Sequence, residues 1–245
     1  MNDVYLYPYS AEEACQRGEQ SLWRASYLEN IDCKDAIQKA VRQHYDGAHL
    51  DKECLTEVIQ EFGYKRTAWV LANTVQQSEW GGQYSSENKA WASQIYIPPD
   101  NPHNLSFVVP TRSAVLDGVV DQYREAYQAL GLFGPSHCEP DSFEKLDYEG
   151  KVLVLAPDIL KESYWNTRAQ LWYAHDGFGC SPTAIGRSIR CTCLGDGEMT
   201  RWNRADFIGV LKGEFLPDWA EEKLMELKGQ EQNSESPAMG GITME

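Results

Sequence analysis

"GFGCSPTAIGRSIRCTCLGDGEMTRWNR", residues 177–204, holds three cysteines, five glycines and four arginines. Within it, "RSIRCTCL" alternates strictly. Ile189, Cys191 and Cys193 fall on one face, Arg190 and Thr192 on the other, which is the period of a half-buried strand. "LGDGE" is a Gly-Asp-Gly turn signal, and "MTRWNR" returns as the partner strand. Two apolar runs just upstream, "KVLVLA" from 151 and "AQLWYAH" from 169, read as further strands. The second half of the chain is therefore expected to hold a small antiparallel sheet.

The first half has the other period. Ser10 followed by Glu13 forms a capping-box pattern, and Gly18 interrupts the helix it opens. A longer helix from about Glu19 to Tyr45 carries the apolar positions Trp23, Tyr27, Ile31, Ile37, Val41 and Tyr45. Asp51 caps a third helix that Gly63 ends, Trp69, Ala72 and Val75 mark a fourth, and "SSENKAWAS" a short fifth. Trp69, Trp80 and Trp91 read as core or rim residues. After the proline-rich break "YIPPDNPHN", "LSFVVP" reads as a strand, and Ser113 opens an amphipathic helix closed by Gly131. "ADFIGVL" and "PDWAEEKLMEL" read as the last helices, with Pro217 in a first turn. The expected fold is α+β: a mainly helical domain over 1–137, an acidic linker over 138–150, a small α+β domain over 151–228, and a disordered tail over 229–245.

The 245 residues carry a net charge of −15, and no apolar run is long enough to cross a bilayer. Charge is uneven: residues 151–204 carry +2, leaving −17 for the rest. Phosphate contacts need clustered Lys and Arg, so direct general nucleic-acid binding is not expected. An acidic surface is instead drawn to a basic protein surface, of the kind that ordinarily holds nucleic acid. Glu139, Asp141, Glu144, Asp147 and Glu149 are the densest such run, and no membrane partner is expected. The start, "MNDVYLYPYS", lacks the charge and apolar pattern of a secretory leader. With seven scattered cysteines, the expected setting is the cytoplasm with reduced thiols.

Three chemistries compete for residues 177–204. A zinc site would need Cys180, Cys191, Cys193 and His175, but Cys-x-Cys replaces the usual two-to-four-residue gap. Cys191 and Cys193 also fall on the face expected to be buried, where cysteine acts as a small apolar residue. No metal is expected. A cysteine-dependent enzyme acting on phosphate esters or nucleotides would use Cys180 as nucleophile with His175 and Arg187. "CSPTAIGR" has one residue too many for the phosphate nest of the cysteine phosphatases, and no P-loop or Gly-x-Ser-x-Gly elbow occurs. No cofactor motif is present. The third reading is a hairpin with a binding face made of Arg190, Arg201, Trp202 and Arg204, residue types favoured at binding hot spots.

Both halves resemble an uncharacterised family of conjugative elements and phages of gut Firmicutes. The first half does so through "YPYSAEEACQRGEQSLWRASYLENIDCKDAI", "GYKRTAWVLANTVQ", "SSENKAWA" and "AVLDGVVDQYREAYQALGLFGPSHC". The second half does so through "LWYAHDGFGCSPTAIGRSIRCTCLGDGEMTRWNR" and "LPDWA". The resemblance spans most of residues 5–220 and brings no established activity with it. It implies a setting, the cargo of a mobile element. There, small acidic proteins antagonise host defence, and the expected partner is a restriction or CRISPR effector with a basic nucleic-acid-binding surface.

Overall fold

The computed structural model describes residues 4–78, 83–184 and 186–234. It divides into two compact units, Met1–Ala129 and Leu130–Glu245. Trp80 and residues 235–245 of the expected tail lie outside the described residues.

The first unit is helical. Ser10 and Glu13 complete a reciprocal capping box at the start of α1 (Ala11–Arg17), and Gly18 closes it in the left-handed conformation. α2 (Gln20–His44) buries Ser26, Asn30, Cys33, Ile37, Ala40 and Val41. α3 (Thr56–Gln77) is broken at Gly63, as expected: its φ 80° and ψ 168° are non-helical and glycine takes them without strain, so two helical stretches meet there at a kink with no linker between them. Ser85 caps α4 (Ser86–Ser93) by accepting from the Asn88 amide. "LSFVVP" is not a strand. Its first residues belong to a single helical turn, α5 (His103–Ser106), and the Val109 amide donates to Thr74 Oγ1 instead of to a ladder. α6 (Ser113–Gln128) closes the unit, burying Leu116, Val119, Val120 and Tyr123 on one face. Arg66, 4% exposed, donates to the carbonyls of Val4 and Ser26 and to Asn30, tying the chain start to α2 and α3. Among the described residues, no helix is long and apolar enough to cross a membrane.

The second unit is built on one antiparallel sheet: β1 (Val152–Leu155), β2 (Leu171–Asp176), β3 (Ser188–Cys193), β4 (Met199–Asn203) and β5 (Phe207–Val210), in the order β4-β3-β2-β1-β5. The fold is α+β, with the helices first, the sheet after them and a helix at the end. Short helices α7 (Ser142–Lys145) and α8 (Thr167–Gln170) precede β1 and β2, and α9 (Asp218–Ser234) follows the sheet. β3 and β4 are the hairpin that the Gly-Asp-Gly turn implies: Ile189 faces Trp202 and Arg190 faces Arg201. "ADFIGVL" is strand rather than helix. Its five apolar residues can satisfy either period, and the open edge of β1 decides between them. α9 runs through Gly229 to Ser234, so the expected tail begins as helix.

Both sheet faces are covered. Val152, Val154, Leu171 and Tyr173 pack beneath α9, which contributes Trp219, Ala220, Leu224 and Leu227. Leu153, Leu155, Trp172, Ala174, Ile189, Cys191 and Cys193 form the other face with Tyr148, Leu146 and Cys180. The cover on that face is the stretch read as a linker, and this is the largest correction to the domain organisation. Cys138 bridges to Leu211, the Glu139 amide donates to Val210 O, and Ser142 Oγ accepts from the Val210 amide. Residues 138–150 are thus a strap across the β5 edge and the adjoining sheet face. They close an edge that would otherwise offer unpaired main-chain groups.

The loop after β2 lies so close to β3 that a methyl group on Gly179 would sit 2.1 Å from Arg187 O. Gly179→Ala is therefore expected to destabilise the protein by about 1–3 kcal/mol in urea unfolding. Gly213→Ala, with nothing within 4 Å of the added carbon, should stay within about 0.5 kcal/mol of the parent. Equal midpoints for the two variants would refute the packing described.

Candidate functional site

β4 continues the two-residue period past its end, and that decides where Arg204 points. Trp202 lies on the strap face against Trp172, with ring centroids 5.5 Å apart. Two residues on, Arg204 lies on the same face and is fully buried. Its guanidinium enters the concavity between the strap and the loop after β2. Nε donates to Phe143 O at 2.9 Å, and Nη1 donates to Gly179 O at 3.0 Å and Cys180 O at 2.7 Å. Nη2 donates to Ser142 O, Phe143 O and Leu146 O at 3.1, 2.7 and 2.8 Å. The group also sits 3.7 Å from the centre of the Tyr148 ring. Burial pulls its pKa below the ordinary arginine value, but five carbonyl acceptors keep the charged form satisfied.

This overturns the four-residue binding face. Arg190 and Arg201 lie on the opposite side of the hairpin from Trp202 and Arg204, because neighbouring strand residues alternate. Arg190 is exposed and ion-paired with Asp176; Arg201 is exposed. Trp202 is partly buried in the core. The alternation that places Ile189, Cys191 and Cys193 inward would have assigned Arg204 inward as well.

The strap's main chain is fixed and its carboxylates are free to act outward. Glu139, Asp141, Glu144, Asp147 and Glu149 are all exposed, while Ser142 and Tyr148 between them are buried. Asp141 adopts φ 55°, turning the chain into α7, and its carboxylate meets Lys145 at 2.6 Å. Asp147 accepts the Glu149 amide at 2.9 Å. The Tyr148 amide donates to Cys180 O and the Gly150 amide to Ala174 O, which anchors the strap's far end to the loop and to β2. Six charged groups on a held backbone make a local field of −4.

The residues of the alternative enzyme do not converge. Cys180 packs in the strap-side core, and burial, with Asp147, Glu149 and Asp176 nearby, pushes its thiol up to about 11. A reactive thiolate needs the opposite surroundings. His175 stands on the α9 side, its ring 4.9 Å from Tyr173 and its Nε2 2.7 Å from Thr192 Oγ1. The sheet therefore separates thiol from imidazole, and Arg187 is exposed at the loop's end. Among the described residues, no three His, Cys, Asp or Glu side chains gather as a metal-ligand set.

Fold and site together define an α+β protein with a helical first unit and a strapped sheet carrying an exposed carboxylate run. The chain belongs to the family described as Protein of unknown function (DUF3849), whose model matches residues 6–128. That match takes in nearly all of the helical unit and stops before the strap and the sheet. No curated protein and no solved structure matches the chain.

Two outcomes follow from the buried groups. Replacing Arg204 by Lys leaves three donors for five carbonyls. It should cost about 1–3 kcal/mol of unfolding free energy, since Ser142 O and Cys180 O keep main-chain donors while the compact ammonium cannot reach all of Phe143 O, Gly179 O and Leu146 O, and each orphaned buried acceptor costs about that much. Arg201→Lys, on the surface, should leave the urea midpoint unchanged, and a parent-like Arg204→Lys would sink the role given to the guanidinium. The second outcome concerns pH. Burial raises Cys33 and Cys191 to about 12 and Cys54, Cys138 and Cys193, with Cys180, to about 11, against an ordinary value of 9.0. The unfolded chain releases these protons first, so stability holds in full below pH 9.0 and is lost as pH climbs through the folded values. Urea midpoints at pH 7, 8.5 and 10 should be level and then fall; a rise at pH 10 would contradict the burial of the thiols.

Proposed function

We propose that this protein is a binding protein that sets its carboxylate strap against the basic surface of a nucleic-acid-handling protein and blocks it. The observation that carries the reading is the strap itself: five exposed acids on a backbone locked by Arg204 and by the β5 edge. Charges held in place before contact lose little freedom on binding, so their attraction to Lys and Arg is retained in the complex. The net charge of −15 favours a cationic partner over nucleic acid itself. The resemblance to proteins of conjugative elements and phages supports a host defence protein, a restriction or CRISPR effector, as the target, and the cytoplasm as the place. The strap would then stand where a nucleic-acid backbone otherwise runs. The buried, protonated Cys180, set across the sheet from His175, supports this reading over the cysteine enzyme.

Capture from a host lysate, with identification by mass spectrometry and repetition with the purified partner, tests it. The partner should be a nucleic-acid-handling protein, and duplex DNA should compete with this chain for it. Association should slow at least tenfold between about 0.05 and 0.5 M salt, where the Debye length falls severalfold. Changing Glu139, Asp141, Glu144, Asp147 and Glu149 together to their amides should weaken binding about tenfold or more, while a folded Cys180→Ser variant should inhibit as the parent does. Loss of inhibition in Cys180→Ser alone, with the amide variant unaffected, would transfer the function to the thiol.

A further inference from the structure

Two aromatic side chains stand out of the same frame that holds the acids. Phe178 is 78% exposed and Phe143 38% exposed, in a unit whose other phenylalanines include the buried Phe133 and Phe207. Neither is loosely placed. Arg204 binds the carbonyl of Phe143 through Nε and Nη2, and the carbonyl of Gly179, next to Phe178, through Nη1. One guanidinium thus fixes both backbones side by side. Phe178 is held further by glycine: a methyl group on Gly186 would lie 2.7 Å from Phe178 Cβ, so the ring rests on a bare main chain. The Phe143 ring centre lies 5.5 Å from the Arg204 guanidinium carbon. Beside Phe143 in the strap are the exposed carboxylates of Asp141, Glu144 and Asp147. A ring left largely in water, as Phe178 is, adds little to folding, and an aromatic on a fixed backbone beside exposed charge has the make-up of an interface anchor.

We infer that Phe178 and Phe143 are the anchors of the carboxylate site, and that they enter an apolar slot rimmed by Lys and Arg on a partner protein. This rests on the binding reading above and adds what charge alone does not supply, a shape-dependent contact at the centre with ion pairs at the rim. Burying the exposed rings would add affinity that salt does not screen. It also predicts selectivity: a polycation without an apolar centre should bind weakly and release at moderate salt.

The test uses three synthetic peptides of equal length: alternating Lys and Leu around one Trp, Lys and Ser in the same pattern, and the first peptide with Gln for Lys. Affinities are measured by fluorescence anisotropy at low salt, and contacts by ring-proton NMR. The Lys-Leu-Trp peptide should bind at least tenfold tighter than Lys-Ser and shift the Phe143 and Phe178 ring signals. The Phe143→Ala, Phe178→Ala double variant, with its fold checked by circular dichroism and urea midpoint, should remove that advantage and leave Lys-Ser binding unchanged; Phe178→Ala alone, at a ring 78% exposed, should keep the parent's stability and remove part of the advantage. Equal affinity of Lys-Leu-Trp and Lys-Ser, or an advantage that survives the double variant, overturns the anchors while leaving the charge reading in place. If neither basic peptide binds, or the five-amide variant binds both as the parent does, the carboxylate reading fails and the anchors fail with it.

Discussion

The Arg204 guanidinium has no carboxylate within ion-pair distance among the described residues; main-chain carbonyls from two separate segments solvate it instead. An arginine supplies five N–H groups in one plane, and five carbonyls surround it here, so the buried charge loses little on leaving water. Those carbonyls belong to the strap and to the loop after β2, neither of which has a ladder of its own. Ser142 O and Cys180 O also accept the main-chain amides of Leu146 and Tyr148, but Phe143 O, Gly179 O and Leu146 O depend on the guanidinium, which would be an uncompensated charge without them. The strap, the loop and the end of β4 therefore form one cooperative piece.

The rest of the second unit follows from that arrangement. With the strap held down, the strap-side face of the sheet can be apolar throughout, and Cys180, Cys191 and Cys193 fill it as small residues whose thiols stay protonated. Ser142 turns toward β5, supplies the acceptor for the Val210 amide, and leaves no room for a side chain at Gly209. The alternate strap residues have nowhere to go but outward, and those are the acids. A run that resembles a solvated linker in composition becomes a fixed array of charge because its backbone, rather than its side chains, makes the contacts. The helical unit shows the same device on a smaller scale, where Arg66 gathers the carbonyls of Val4 and Ser26.

Much of this architecture was legible in the residues. The Ser10–Glu13 box, the long α2, the cap at Ser85 and the β3–β4 hairpin all arise from interactions between residues close in sequence. So does the inward set Ile189, Cys191 and Cys193, since a strand's two-residue period needs no knowledge of its partner. The family match covers the first half, where local signals are strongest, and ends at residue 128, before the strap.

Local patterns suffice for the class of fold and the order of its elements: helices first, an alternating antiparallel hairpin later, and an acidic run between them. Tertiary structure alone decided that "ADFIGVL" is the strand β5, because a short apolar run takes whichever period an open edge offers. It decided that residues 138–150 cover the sheet instead of joining domains. Alternation turns Arg204 inward, but only the tertiary structure supplies the carbonyls of Ser142, Phe143, Leu146, Gly179 and Cys180 that hold its charge there. The physical reason is the same in each case. Periodicity records which side of an element is apolar, but a buried charge and a strapped edge are settled by acceptors tens of residues away, which no local pattern contains.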